Sequence, residues 1–108
     1  MTEENLWTQL CPSSEIEDGN IKQFKVENVD VIVMRSKGVL RASQAICPHM
    51  DEPLKNGLLK NGKLTCMKHL WQWDITTGEK KGLAEQNLQM YEVMEQEGSI
   101  YININGGE

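Results

Sequence analysis

Two short Cys–His pairs stand at the centre of the 108-residue chain, Cys47-Pro48-His49 and Cys66-Met67-Lys68-His69. They contain both histidines of the chain and two of its three cysteines. The sixteen residues between the pairs include Asn61-Gly62, a dipeptide typical of a type I′ turn because both central residues of that turn have positive φ. A hairpin at this point would bring the two pairs side by side. The spacing therefore predicts a fold in which four metal-ligating side chains meet at one point.

Two thiolates and two imidazoles form a ligand set that suits zinc or an iron–sulfur centre. Structural zinc sites usually keep a cysteine pair and a histidine pair apart, whereas each pair here is mixed and the first is short for chelating one ion. In a sulfide-bridged [2Fe–2S] centre, each pair can give its cysteine to one iron and its histidine to the other. Cys47 and Cys66 would then bind one iron. His49 and His69 would bind the second, and a structural zinc-binding interaction module remains the alternative.

Short segments with strand-like alternation, separated by turns, fill most of the chain. Their spacing is close to the roughly 8–12 residues typical of β-sandwiches and barrels, and no segment has a sustained helical period. Asn28-Val29 is expected to connect the second and third strands in a hairpin. The last two strands are expected to form another hairpin at a sheet edge. We expect an all-β fold of about nine short strands in a single domain, 1–108. The expected strands are 6–10, 21–27, 30–35, 39–45, two within 58–65, 71–74, 89–94 and 99–103.

Composition excludes several classes of protein. The net charge of −5 disfavours a broad basic surface for nucleic acid. The longest aliphatic run, Val31-Ile32-Val33-Met34, is far too short to span a membrane. The N-terminal segment has no apolar stretch of the kind found in secretory signals, so we expect a cytoplasmic protein. Its cysteines should then be metal ligands, reactive thiols or small core residues rather than disulfides, and Cys11 is expected to be a small buried residue.

Charge is distributed unevenly along the chain. Residues 46–82 carry six bases and four acids, whereas residues 83–108 carry five acids and no base. This asymmetry is compatible with ordinary solvation or with a docking face of mixed charge, since electrostatics steers encounter between partners.

The complete pattern, C-x-H-x₁₆-C-x₂-H, resembles that of the small Rieske ferredoxins of bacterial multicomponent oxygenases. Residues 47–52 and 66–74 carry this resemblance, and Thr77-Gly78 extends it. The His-Leu-Trp sequence at 69–71 is most similar to ferredoxins that serve soluble di-iron toluene and alkene monooxygenases. The resemblance implies a Rieske fold of antiparallel sheets in which two loops at the tip hold one [2Fe–2S] cluster. The cluster-binding part would span about residues 46–82.

The resemblance also implies a function. The chain would be a soluble, monomeric one-electron carrier and not an enzyme. It would take electrons from an NADH-dependent flavin or iron–sulfur reductase and pass them to the hydroxylase component of a di-iron hydrocarbon monooxygenase, as in aromatic hydrocarbon catabolism. The alternative within this class is the ferredoxin of an aromatic ring-hydroxylating dioxygenase.

The residues next to the ligands are expected to form an apolar collar around the cluster and to contact a partner. Trp71 has two interpretations, because aromatic side chains are common both at interface centres and in protein cores. It could lie exposed beside His69, or it could pack inside with Trp73, which should face the same side of its strand. The candidate contact residues are Pro48, Met50, Leu70 and Trp71.

One departure from related ferredoxins bears on the cluster. A proline in the loop near 79–89 usually covers the cluster, but this chain has no proline after Pro53. Gly82, Leu83 and Ala84 are therefore expected to form the cover.

The reduction potential is expected at the low end of the Rieske range, about −150 mV. High-potential Rieske proteins have a disulfide between the two loops, whereas this chain has Glu52 and Lys68 at those positions. They also have hydroxyl groups that hydrogen-bond to the cluster sulfurs, where this chain has Trp71 and Trp73. Fewer hydrogen bonds to sulfur give less stabilisation of the reduced state.

Overall fold

The computed structural model describes residues 7–48, 52–67, 70–82 and 84–105. Within these ranges the chain forms ten strands and two 3₁₀ helices of one turn each, Ser13–Glu15 and Leu54–Asn56. The strands are β1 (Thr8–Pro12), β2 (Ile21–Val26), β3 (Val29–Ser36), β4 (Val39–Gln44), β5 (Leu58–Lys60), β6 (Lys63–Cys66), β7 (Trp71–Asp74), β8 (Lys80–Lys81), β9 (Met90–Gln96) and β10 (Ser99–Asn103).

The strands form two antiparallel sheets, so the predicted all-β class is confirmed. The large sheet has the order β1-β10-β9-β4-β3-β2 and is curled into a nearly closed barrel. The small sheet has the order β5-β6-β7-β8. β4 and β9 pair directly with each other, through Ala42–Tyr91 and Ser43–Met90. The small sheet and the predicted ligand loops are therefore inserted between two neighbouring strands of the large sheet. No helix in the described ranges has the length and apolar character needed to cross a membrane.

The predicted turn at Asn61-Gly62 is confirmed. Both residues have positive φ, 54° and 79°, and Lys60 pairs with Lys63 across the hairpin. The predicted connection at Asn28-Val29 is wrong by one residue, because Glu27 and Asn28 form the turn with φ of 51° and 70°. Asparagine tolerates the left-handed region that the second turn position requires, whereas the β-branched Val29 disfavours it and begins β3 instead.

The last hairpin occupies a different place in the sheet from the one expected. β9 pairs with β4, and β10 pairs with β1, so the hairpin lies inside the large sheet rather than at its edge. The edges are β1 and β2. β1 begins at Thr8 and includes Cys11, whose expected burial is confirmed. β8 was not expected, since Lys80-Lys81 has no apolar alternation.

β3 separates two hydrophobic cores. Ile32 and Met34 belong to the core shared with the small sheet, which also contains the cysteines of both Cys–His pairs. Val31 and Val33 belong to the second core, with residues of β1 and β10. Successive side chains of a strand point to opposite faces, so an uninterrupted run of apolar residues indicates a strand buried on both sides.

Candidate metal centre

Ligand loop 1, residues 47–52, is closed by backbone hydrogen bonds at its base. The Cys47 N–H donates to the Glu52 carbonyl at 2.9 Å, and the Leu54 N–H donates to the Ala45 carbonyl at 2.7 Å. Ile46 and Pro53 form a β-bridge between these two bonds. Cys47 therefore lies at the base of ligand loop 1, where these bonds fix the backbone.

Ligand loop 2, residues 66–71, reverses the chain between β6 and β7. Cys66 is the last residue of β6 and pairs with Trp71. The Leu70 N–H donates to the Cys66 carbonyl at 2.7 Å, and Leu70 adopts a left-handed φ of 60°. The hydrogen bond and the pairing with Trp71 therefore place Cys66 at the base of ligand loop 2, as Cys47 is placed at the base of ligand loop 1.

The two cysteines lie in the same hydrophobic core and are almost completely buried, with exposed fractions of 3% for Cys47 and 1% for Cys66. His49 and His69 lie outside the described residues, so their role as ligands stays a prediction. The described ranges contain no group of three or more metal-ligating side chains, but they include only the cysteine half of the predicted ligand set. Two buried thiols at the bases of separate loops fit the sulfur ligands of a [2Fe–2S] centre.

The third loop, residues 82–89, is held against the small sheet without a proline. The Trp73 Nε1–H donates to the Gln86 carbonyl at 2.8 Å, and the Leu88 N–H donates to the Gly78 carbonyl at 2.8 Å. Ala84 is buried in the core that contains both cysteines, as its predicted covering role requires, whereas Gly82 is exposed. The third member of the predicted cover, Leu83, lies outside the described residues.

The exposed position considered for Trp71 is wrong, because only 5% of this residue is exposed. Trp71 and Trp73 lie two residues apart and face the same core, as expected for one face of a strand. Their rings pack edge to face with centroids 6.2 Å apart, an arrangement favoured by the ring quadrupoles. The core-packing interpretation therefore describes Trp71.

The exposed apolar surface near the ligand loops comes from other residues. Leu70 is 57% exposed, and Met67, which the sequence analysis did not select, is 53% exposed. Pro48 is half-buried, and Met50 lies outside the described residues. Leu70 and Trp71 are adjacent but differ in exposure, and the left-handed backbone of Leu70 marks the point where the chain turns into β7.

The sequence model of the Rieske [2Fe–2S] domain matches residues 6–92, which include both ligand loops and the third loop. The chain belongs to the Rieske [2Fe–2S] domain family. This Rieske protein is 37% identical over 95 residues to the methanesulfonate monooxygenase ferredoxin subunit of Methylosulfonomonas methylovora, covering 87% of this chain and 77% of that one. It is 28% identical to the alkene monooxygenase ferredoxin component of Xanthobacter autotrophicus, covering 89% of this chain and 80% of that one.

Its fold is similar to that of a chain in the solved complex of reduced oxygenase and oxidised ferredoxin of carbazole 1,9a-dioxygenase. The TM-score is 0.86 with 23% sequence identity, covering 95% of this chain and 96% of that one. Together these comparisons confirm three predictions: a Rieske fold, one Rieske-type [2Fe–2S] cluster, and a ferredoxin that carries electrons rather than a catalytic subunit.

The ligand set explains why such a centre accepts an electron. With two thiolates, two Fe(III) ions and two sulfides, the oxidised centre has no formal net charge, whereas four thiolates would leave it negative. Replacing two thiolates by imidazoles therefore raises the potential above the roughly −400 mV of plant-type ferredoxins. The protein contributes dry surroundings for the sulfurs, because Cys47 and Cys66 are buried with Trp71 and Ala84.

Proposed function

We propose that this Rieske protein transfers single electrons from an NADH-dependent flavin or iron–sulfur reductase to the hydroxylase component of a di-iron hydrocarbon monooxygenase. The relatives named above are ferredoxins of monooxygenase systems, which supports an oxygenase partner. The observation that carries the proposal is the burial of Cys47 and Cys66 at the bases of two loops within one core. In this proposal the two cysteines bind one iron, His49 and His69 bind the other, and the protein works as a cytoplasmic monomer.

A ring-hydroxylating dioxygenase is the second candidate partner. The solved structure with a similar fold belongs to a dioxygenase system, and fold alone does not distinguish the two classes of oxygenase. His-Leu-Trp at residues 69–71 is the sequence feature that favours a monooxygenase. The Rieske family match supports an iron–sulfur centre over the zinc-binding alternative.

Partner binding is proposed at the end of the molecule that carries the ligand loops. Met67 and Leu70 expose apolar surface there, next to the buried ligand Cys66. The carrier must dissociate after each transfer, because it holds one electron and an oxygenase turnover needs two. We therefore expect a small contact, below about 1,200 Å² in total, that weakens with added salt.

The first test is the composition of the metal centre. Protein purified under anaerobic conditions should contain equal amounts of iron and acid-labile sulfide and give a rhombic, low-average-g EPR signal when reduced. Cys47→Ser and His69→Ala should each abolish or alter that signal, whereas Cys11→Ser should retain it. A folded protein that contains zinc and no labile sulfide would contradict the proposal. Anaerobic titration should give a potential near −150 mV, and a positive value would contradict the expected low potential.

The second test is reconstitution with partners. The protein would be added to the reductase and hydroxylase of an alkene monooxygenase system, and separately to the reductase and oxygenase of a ring-hydroxylating dioxygenase system, each lacking its own ferredoxin. NADH-dependent product formation only with the monooxygenase would support the proposal. Product formation only with the dioxygenase would establish the second candidate.

A further inference from the structure

Gln44, the last residue of β4, uses both ends of its side-chain amide. Its Oε1 accepts a hydrogen bond from the Gln89 N–H at 2.8 Å. Its Nε2 donates to the Ile46 carbonyl, also at 2.8 Å. The Gln44 backbone N–H in turn donates to the Gln89 carbonyl at 2.9 Å. One side chain thus connects the segment that enters ligand loop 1 with the end of the third loop.

This connection lies where the backbone ladder ends. β4 and β9 are paired through Ala42 and Ser43, and beyond this point the chain leaves the large sheet on both sides. Ile46 directly precedes Cys47, whose thiol is buried. On the other side, Gln89 directly follows Leu88, which is buried in the same core as Cys47. The Gln44 amide therefore holds together two segments that both border the ligand core.

An open cleft of about 470 Å³ lies between ligand loop 1 and the third loop. Polar groups that line this cleft have hydrogen-bond partners within the protein, as the Gln44 amide does. Asn87 Oδ1 accepts from the Lys80 N–H at 3.0 Å. These bonds hold the loops in place. The residues that line the cleft are Gln44, Pro48, Thr77 and residues 86–89.

We propose that Gln44 is a positioning residue that holds ligand loop 1 against the third loop and so limits the access of water to the iron–sulfur centre. The inference rests on the proposed role of Cys47 as a ligand. Loss of the amide would leave the Gln89 N–H and the Ile46 carbonyl to bind water, which would widen the cleft beside ligand loop 1. Water near the centre would stabilise the additional negative charge of the reduced state and promote loss of iron.

The test compares Gln44→Met and Gln44→Glu with the wild-type holoprotein. Methionine has a similar length and no charge, and it removes both hydrogen bonds. Glutamate can still accept from the Gln89 N–H but cannot donate to the Ile46 carbonyl, so it loses only the bond to the segment that enters ligand loop 1. Gln9→Leu is the matched control, since Gln9 lies on the edge strand β1, which β10 and β9 separate from β4, and donates to Ser99 Oγ on β10.

Gln44→Met should lose its visible absorption in air about tenfold faster than the wild type, as expected for the loss of one or two hydrogen bonds. Its reduction potential should shift upward. Gln44→Glu should also lose the chromophore faster, and it provides the measurement if Gln44→Met cannot be purified with iron. Gln9→Leu should match the wild type in both properties.

Unchanged chromophore lifetime and potential in both Gln44 variants would overturn the inference. Faster loss with an unchanged potential in Gln44→Met would also overturn it, because it would show general destabilisation rather than altered access of water. Absence of iron and labile sulfide from the wild type would instead contradict the proposed ligand set.

Discussion

At the scale of single residues, Trp73 shows how one side chain joins the core to the third loop. It is completely buried, and its indole Nε1–H donates to the Gln86 carbonyl at 2.8 Å. The large ring supplies apolar burial, while the N–H finds a partner that a buried donor requires. Trp73 thereby positions the third loop, which contains no proline.

Trp73→Phe should lower the free energy of unfolding by about 1–3 kcal/mol, because it removes the hydrogen bond and leaves a space in the core. Urea unfolding of the holoprotein measures this change. Gln86→Ala is the control, since the bond uses the backbone carbonyl of Gln86 and its side chain is exposed. Equal losses in both variants would show that the indole hydrogen bond has no special role.

At the scale of elements, two glycines of the small sheet have different physical requirements. Gly62 is in the hairpin turn with φ of 79°, and an added Cβ would meet no other atom within 4 Å. Gly57 has an ordinary φ of −80°, but an added Cβ would overlap the carbonyl oxygen of Thr65. Thr65 directly precedes Cys66, so crowding at Gly57 acts on the strand that carries a proposed ligand.

Gly62→Ala should cost about 1–2 kcal/mol of stability through its left-handed backbone and should retain normal iron content. Gly57→Ala should instead displace β5 from β6 and reduce the iron bound per protein. Iron analysis and urea unfolding of the two variants separate these effects. Normal iron content in Gly57→Ala would show that β6 tolerates the displacement.

At the scale of the whole molecule, the small sheet carries a basic surface on an acidic protein. Lys60 and Lys63 are exposed and face each other across the hairpin. Residues 83–108 carry five acids and no base. Lys63 begins β6 and Cys66 ends it, roughly 10 Å along the strand, so the basic pair would attract a partner with an acidic surface through long-range electrostatics rather than through contact at the ligand loops.

The double substitution Lys60→Glu and Lys63→Glu should slow electron transfer to the oxygenase about tenfold at low salt, and added salt should reduce the difference. Stopped-flow oxidation of the reduced protein at several ionic strengths provides the measurement. Lys22→Glu with Lys25→Glu is the control, because it makes the same change in net charge on β2 of the large sheet instead of on the small sheet. An equal effect of both double variants would indicate a dependence on net charge alone.

Local sequence signals predicted the parts of this protein that depend on few neighbouring residues. The spacing of the Cys–His pairs indicated the ligand loops, and Asn61-Gly62 indicated its turn, because positive φ at two successive positions is a local requirement. The placement of the last hairpin and the burial of Trp71 were not predictable in this way. Both depend on pairings between strands that are distant in the chain.

The sequence by itself determined the all-β class, the Rieske pattern and the cysteines that the two loops present, since these follow from residue type and short spacing. Only the tertiary structure decided that the Gln44 amide connects the two segments beside Cys47, and that Leu70 rather than Trp71 is exposed. The physical reason is that hydrogen bonding and burial at these positions depend on where β4 pairs with β9 and on the core that β7 shares with β3. Neither arrangement can be predicted from the sequence of one strand, because each joins segments that are distant in the chain.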